Sequence, residues 1–432
     1  MKSINFLSFL IFLPLSLSQN ETIYCIYSND EINGYTCELV LINPDGRDDF
    51  TRINGEHLEN HSNRDVKRIM RGDYSDSTNF PSILCEKFFN TIRIDGYSIG
   101  IRKIDINSFG NCKDLEFLSL YDNEINEITE DAFTHNTKLN FLILVENKLN
   151  GLPANVFVPL TKLRTLYLQN NNLGYVSSSL FHSLVNLELL HLYDNNLRDL
   201  PGDTFVTLTK LQNLAISHNN LSQINPQWFN TLTSLEVLYL NSNNFREIPK
   251  NAFKNLQSLW ILYLHENKLE DLPADIFTPL KNLVYLYINN NNLKVIHSDS
   301  FGQLPSLQSL QFYRNQVDQI DERFIDITGI KEIDGSFNPC IDRNEVIRDE
   351  SPSRNEIRAA LQRCFDNYRE RQITTTTEEP QECKVDGLDE RVCQLEREVE
   401  SLKNENKEMR SKIDDLNARL KILEEKILSI KF

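Results

Sequence analysis

The chain has 432 residues, 40% of them hydrophobic and 25% charged, with only 14 glycines and 14 prolines. At roughly one domain per 150 residues, this length gives two or three folded units, and the composition excludes a collagen-like or disordered chain. With 45 basic against 62 acidic residues the net charge is -17, which argues against nucleic acid, heparin or anionic lipid as the main partner.

Residues 1–18 read as a signal peptide: Lys2 precedes an apolar run from Ile4 to Leu17, with small residues at Ser16 and Ser18. No later stretch approaches the ~20 apolar residues of a membrane span. Export to an oxidising compartment turns the eight cysteines into a disulfide framework. Asn20, Asn60 and Asn220 each head an N-x-S/T glycosylation sequon. Residues 19–90 are expected to form an N-terminal cap. There Cys25, Cys37 and Cys85, with Cys112 beyond, allow three pairings, of which Cys25 with Cys37 and Cys85 with Cys112 close the shortest loops.

From Leu115 onward one template, LxxLxLxxNxLxxL followed by Phe, recurs every 24 residues, with first positions at Leu139, Leu163, Leu187, Leu211, Leu235, Leu259, Leu283 and Leu307. This matches the leucine-rich repeat pattern. A degenerate turn from Thr91 to Asp114 and a shortened last strand from Ile330 to Cys340 extend the repeat domain over about 91–340. The predicted fold is an α/β-type solenoid: a horseshoe whose short LxL strands stack into a parallel concave sheet at ~4.8 Å spacing, closed by disulfide caps. An asparagine column, Asn123 to Asn315, is placed to satisfy backbone groups where each turn leaves its strand. A phenylalanine column, Phe133 to Phe301, fills the space behind the sheet. It is expected to break at Phe324, one place early in a repeat of 23 residues.

Residues 341–371 read as a helical C-terminal cap, opened by the capping box Ser353-Arg354-Asn355-Glu356 and tied by a Cys340 to Cys364 bridge. The Thr-rich stretch 372–384 reads as an extended linker, and 385–432 as a coiled coil. Val392, Leu395, Val399, Leu402, Asn406, Met409, Ile413, Leu416, Leu420, Leu423, Ile427 and Ile430 occupy its a and d positions. Asn406 is the polar register residue of a parallel two-stranded coil. The facing g and e pairs Arg391 to Glu396, Glu398 to Lys403, Glu405 to Arg410 and Arg419 to Glu424 attract, whereas Lys426 to Lys431 repels. Both a homodimer and a heterodimer with a related coiled-coil repeat protein remain open. Cys383 and Cys393 either pair with each other or staple two chains.

The chain carries no HExxH, no G-x-S-x-G and no glycine-rich phosphate loop, and nothing calls for an enzyme, a metal or a cofactor. His191, His218 and His265 fall on different lateral columns of the sheet, so ordinary surface use is expected of them. The stacked pair Asp122 and Glu146 reads as a solvated rim.

Positions two, three, five, seven and eight of each repeat face the concave side, where aromatic rings gather. Position five supplies Tyr167, Tyr239, Tyr263 and Tyr287, with Trp260, Tyr285 and Tyr313 on neighbouring columns. Rigid amphipathic rings on a preformed sheet give contact area at low entropic cost; β-propensity also favours rings on strands. The expected margin of this binding face is Tyr121, Tyr193, His191 and Glu266.

The order of parts, from signal peptide through 24-residue repeats and cysteine-bearing cap to a C-terminal coiled coil, resembles the leucine-rich repeat immune proteins of mosquitoes. That resemblance implies a secreted haemolymph protein that pairs through its coiled coil, with Cys383 and Cys393 as interchain cysteines, and that holds a complement-like thioester protein. The long segment from Gln19 to Asn90 and the ten-residue spacing of the two tail cysteines depart from the pattern. The expectation is a secreted, non-enzymatic recognition protein, binding a protein or glycan ligand on its concave sheet in innate immunity. The alternative is an extracellular-matrix or signalling-ligand scaffold.

Overall fold

In the computed structural model of the chain, the described residues are 22–30, 34–42, 52–54, 56–58, 61–72, 79–326, 330–341, 346–348 and 354–376. The signal peptide, Asn20, Asn60, Cys383, Cys393, Asn406 and the coiled-coil segment lie outside them. The chain divides into two units, Met1–Arg369 and Glu370–Phe432. In the second, the described residues 370–376 are helical.

The first unit is built on a single 16-stranded sheet. Its repeat strands pair in parallel with a 24-residue offset, as in Leu190 opposite Leu214 and Leu214 opposite Leu238. The offset falls to 23 between Ser309 and Glu332, at the shortened repeat. A three-residue strand explains the template: its central leucine points inward and is fully buried, while the flanking residues face out. The next inward leucine, as in Leu192 and Leu240, is buried just beyond the strand.

The asparagine column supplies what a strand this short leaves unmade. Asn195 is typical: Leu173 N–H donates to its Oδ1 at 3.0 Å, and its Nδ2 donates to the carbonyls of Leu168 and Leu192 at 3.0 and 3.1 Å. Asn338 continues the column, its Oδ1 accepting from Val317 N–H at 2.9 Å. Immediately before each asparagine, the eighth residue turns into the left-handed region: Asp194, His218, Ser242 and Glu266 have φ of 50°, 49°, 53° and 55°. Backbone bonds between repeats hold that turn, such as His218 N–H to the Asn241 carbonyl at 3.1 Å. Behind the sheet the phenylalanines form a buried stack, with ring centroids 6.5 Å apart for Phe157 and Phe181 and 6.4 Å for Phe253 and Phe277.

Both ends are closed. At the N-terminal end the antiparallel strands Thr22–Asp30 and Gly34–Ile42 are bridged by Cys25–Cys37. The second of them pairs in parallel with Arg68–Gly72, which pairs with Arg93–Tyr97, so the cap extends the repeat sheet upstream of residue 91. Cys85–Cys112 joins neighbouring turns. All three expected pairings are present, the third being Cys340–Cys364.

At the C-terminal end the strand Val346–Arg348 adds antiparallel to Glu332–Asp334. The helix Arg354–Thr376 follows. Ile357, Leu361, Cys364 and Phe365 recur at helical spacing and are buried on the last turn. Arg363 donates to the carbonyls of Cys340 and Pro339 at 2.9 and 2.8 Å, while Arg358 and Arg369 both pair with Glu322. Those contacts hold the helix across the open end of the coil. The helix continues through Thr376, into the stretch read from sequence as extended linker. Among the described residues no helix is long and apolar enough to cross a membrane.

Candidate ligand-binding face

The strands Val237–Tyr239, Ile261–Tyr263 and Tyr285–Tyr287 place a tyrosine at the fifth position of three successive rungs. Their rings stack as a ladder. Tyr239 and Tyr263 lie 4.6 Å apart at 10° between planes, and Tyr263 and Tyr287 lie 4.7 Å apart at 7°. Burial of the central phenol, with the neighbouring phenols adding to it, pushes Tyr263 up to about 12. Burial also raises Tyr287. Tyr263 and Tyr287 therefore stay neutral through the physiological range, and the ladder presents hydrogen-bonding tips on a rigid aromatic plate.

To one side of the ladder, Trp260 is 39% exposed and meets Tyr285 edge to face at 6.2 Å. On the earlier rungs, Tyr167 meets His191 edge-on at 5.0 Å, and His191 lies 5.6 Å from Tyr193. The His191 ring nitrogen Nε2 hydrogen-bonds Asn213 Oδ1 at 3.2 Å, while burial holds the imidazole below its usual value. Tyr313 sits half-buried on the seventh-position column beyond the ladder. Glu266 lies in the left-handed turn and accepts from Ser242 Oγ at 2.7 Å. Most of the aromatic residues expected on this face thus fall into three groups, Tyr167 with His191 and Tyr193, the tyrosine ladder, and Trp260 with Tyr285, while Tyr313 stands apart.

Between the first group and the ladder lies a cavity of about 490 Å³, lined by His191, Tyr193, Asp194, Ala215, Ser217, His218, Tyr239, Asn241, Tyr263 and His265. It exists because Ala215 occupies the fifth position where the flanking rungs carry His191 and Tyr239. Ala215, Asp194 and Asn241 belong to no sequence motif, and the available signal for them was a small residue interrupting a column of rings. All three histidines read from sequence as laterally separate border this one cavity. Among the described residues no group of three or more His, Cys, Asp or Glu side chains is arranged to hold a metal ion.

A second patch also escaped sequence reasoning: Arg93 lies 3.6 Å over the ring of Phe117, which contacts Phe141 at 5.8 Å. Asp95 anchors Arg93, and Arg68 from the preceding strand, at 2.8 Å each. Asn220, the described sequon residue, is exposed.

The leucine rich repeat family pattern matches residues 98–149, 114–173, 161–221, 209–269 and 261–317, an unbroken stretch covering half of the chain. The chain belongs to the leucine-rich repeat family. No curated protein matches it. Among solved structures, a chain in the structure of the Toll–Spatzle complex, described as a molecular hub in Drosophila development and innate immunity, is similar at 25% identity and a TM-score of 0.59. That similarity covers 64% of this chain and 37% of the other, so this leucine-rich repeat chain spans well under half the length of that relative. A leucine-rich repeat protein of Leptospira interrogans, LIC12759, is 23% identical with a TM-score of 0.53 over 73% of this chain and 83% of its own, which shows the shared fold.

Proposed function

We propose that this leucine-rich repeat protein is a secreted, non-enzymatic recognition protein that binds an extracellular protein ligand on its concave sheet. The observation that carries the proposal is the preformed ladder of Tyr239, Tyr263 and Tyr287 beside the Trp260–Tyr285 pair. Aromatic anchors already held by one another lose little freedom on binding, which is what interface hot spots require. Three disulfides support an oxidising, extracellular setting. The similarity to a chain of a complex described in terms of development and innate immunity supports an immune role, and the order of parts along the sequence puts a complement-like protein among the candidate partners. The same words keep a signalling-ligand scaffold as the second reading, and a glycan ligand suits the same aromatic face.

The tail, residues 385–432, is proposed to dimerise the chain through its heptads, with Asn406 setting register and Cys383 and Cys393 as candidate interchain links. Affinity capture from the extracellular fluid of the source organism tests the reading. The wild-type chain is expected to retain a partner that the combined Tyr239→Ala, Tyr263→Ala, Tyr287→Ala variant does not. Equal capture by both would move the site off the concave face.

A further inference from the structure

The cavity over Ala215 has the chemistry of a seat for a cation. Asn241 is 6% exposed, yet its Oδ1 has no hydrogen-bond partner, while its Nδ2 is used by Ser242 Oγ at 3.2 Å. A buried acceptor left open calls for a donor from outside. Asp194 places a carboxylate on the same cavity, 3.8 Å from His218 Nδ1, and the walls are the rings of Tyr193, Tyr239 and Tyr263. An adjoining hollow on the same rungs is bordered by Glu188 and Glu236. Arg164 approaches Glu188 at 3.5 Å, leaving the concave surface of these rungs acidic, in keeping with the net charge of -17.

From this arrangement we infer that an arginine side chain of the protein ligand seats in the notch over Ala215. Its guanidinium stacks against the tyrosine walls and donates to Asp194, and a turn of the buried Asn241 amide brings its unpaired Oδ1 to the cavity as a further acceptor. A planar guanidinium suits the site better than an ammonium, because it combines ring stacking with several fixed donors. The inference rests on the concave face being the recognition surface, and deepens that reading by naming the ligand chemistry at one point on it.

The full chain, titrated with N-acetyl-arginine amide and followed by the ring signals of His191, His218 and His265 in NMR, tests the seat. Saturable shifts are expected with this probe and not with the isosteric, uncharged citrulline amide. Asp194→Asn is expected to weaken the response at least about fivefold, the scale of one charge-assisted contact. Ala215→Tyr, which puts the residue of the next two rungs into the notch, is expected to abolish the response with the urea midpoint unchanged. Absence of a saturable shift, an equal shift from citrulline amide, or a preference for N-acetyl-aspartate would overturn the inference. If the three-tyrosine variant loses its partner while the arginine probe gives no response, this inference alone fails. If the arginine response is present but that variant keeps its partner, the recognition reading fails and the assignment of the arginine to that partner falls with it.

Discussion

Tyr263 lies between Tyr239 and Tyr287, with its ring 4.6 Å from that of Tyr239 and only 10° from parallel. The fold sets that spacing, since parallel pairing at a 24-residue offset puts identical positions of successive repeats beside each other. Removing the middle ring leaves two separated anchors. Tyr263→Ala is expected to weaken ligand capture at least about 30-fold, or about 2 kcal/mol, whereas Tyr263→Phe keeps the stack and loses less than tenfold. Binding measured by surface plasmon resonance distinguishes the two substitutions.

The same burial gives a pH signature. Because the folded-state value of Tyr263 is pushed up to about 12 from 10.0, its neutral form is favoured on folding. That contribution is fully present below pH 10 and is lost as pH rises toward 12. Phenolate absorbance should show a tyrosine class titrating late, and Tyr263→Phe should reduce its amplitude. Tyr27, likewise raised to about 12, remains in that class.

Acid should act on the notch in the opposite region. Burial holds the imidazoles of His191 and His265 below the ordinary 6.5, so both are neutral at pH 7. As pH falls below 6.5 they gain charge in a cavity that His218, Asp194 and the phenols of Tyr193, Tyr239 and Tyr263 also face, with Glu266 acting on His265 from the turn. The arginine probe is expected to dissociate as pH falls, and His191→Gln combined with His265→Gln should flatten the profile. Titrating the probe from pH 7.5 to pH 5 measures the slope.

How much of this was legible depends on what each position asks of its side chain. The leucine, asparagine and phenylalanine columns demand one residue type for one contact, so Leu190, Asn195 and Phe181 could be placed from period alone. The left-handed eighth position could not, because Asp194, His218, Ser242 and Glu266 share only a backbone turn held by inter-repeat hydrogen bonds. The N-terminal strands lack the repeat template, which is why their continuation of the sheet was hidden. The notch was hidden for a third reason: it gathers positions five, seven and eight of neighbouring repeats around the absence of bulk at Ala215.

The asparagine column also sets a stability expectation. Asn195→Ala removes one acceptor and two donated bonds from buried backbone groups, and is expected to cost about 3 kcal/mol or more. Urea unfolding followed by circular dichroism measures it; Asn196→Ala, at the exposed neighbouring position, should change little.

The C-terminal cap depends on Glu322. Hydrogen bonds from Arg369 first, and from Arg358, hold its carboxyl below the usual 4.5. A depressed carboxylate contributes above its unfolded value, and the contribution is lost as pH falls through the folded one. Wild type should therefore exceed Glu322→Gln in stability at pH 6, with the difference vanishing as the solution is taken well below pH 4.5. Urea midpoints of the two chains across that range check it.

The most direct test of concave-face recognition is site-specific photocrosslinking in the source organism's extracellular fluid. A photoreactive residue replaces Ile261, beside the tyrosine ladder, or Val185, exposed in a connecting segment. A discrete adduct from position 261 and none from position 185 is the predicted result. An adduct from 185 alone would contradict the account and place the partner elsewhere on the coil.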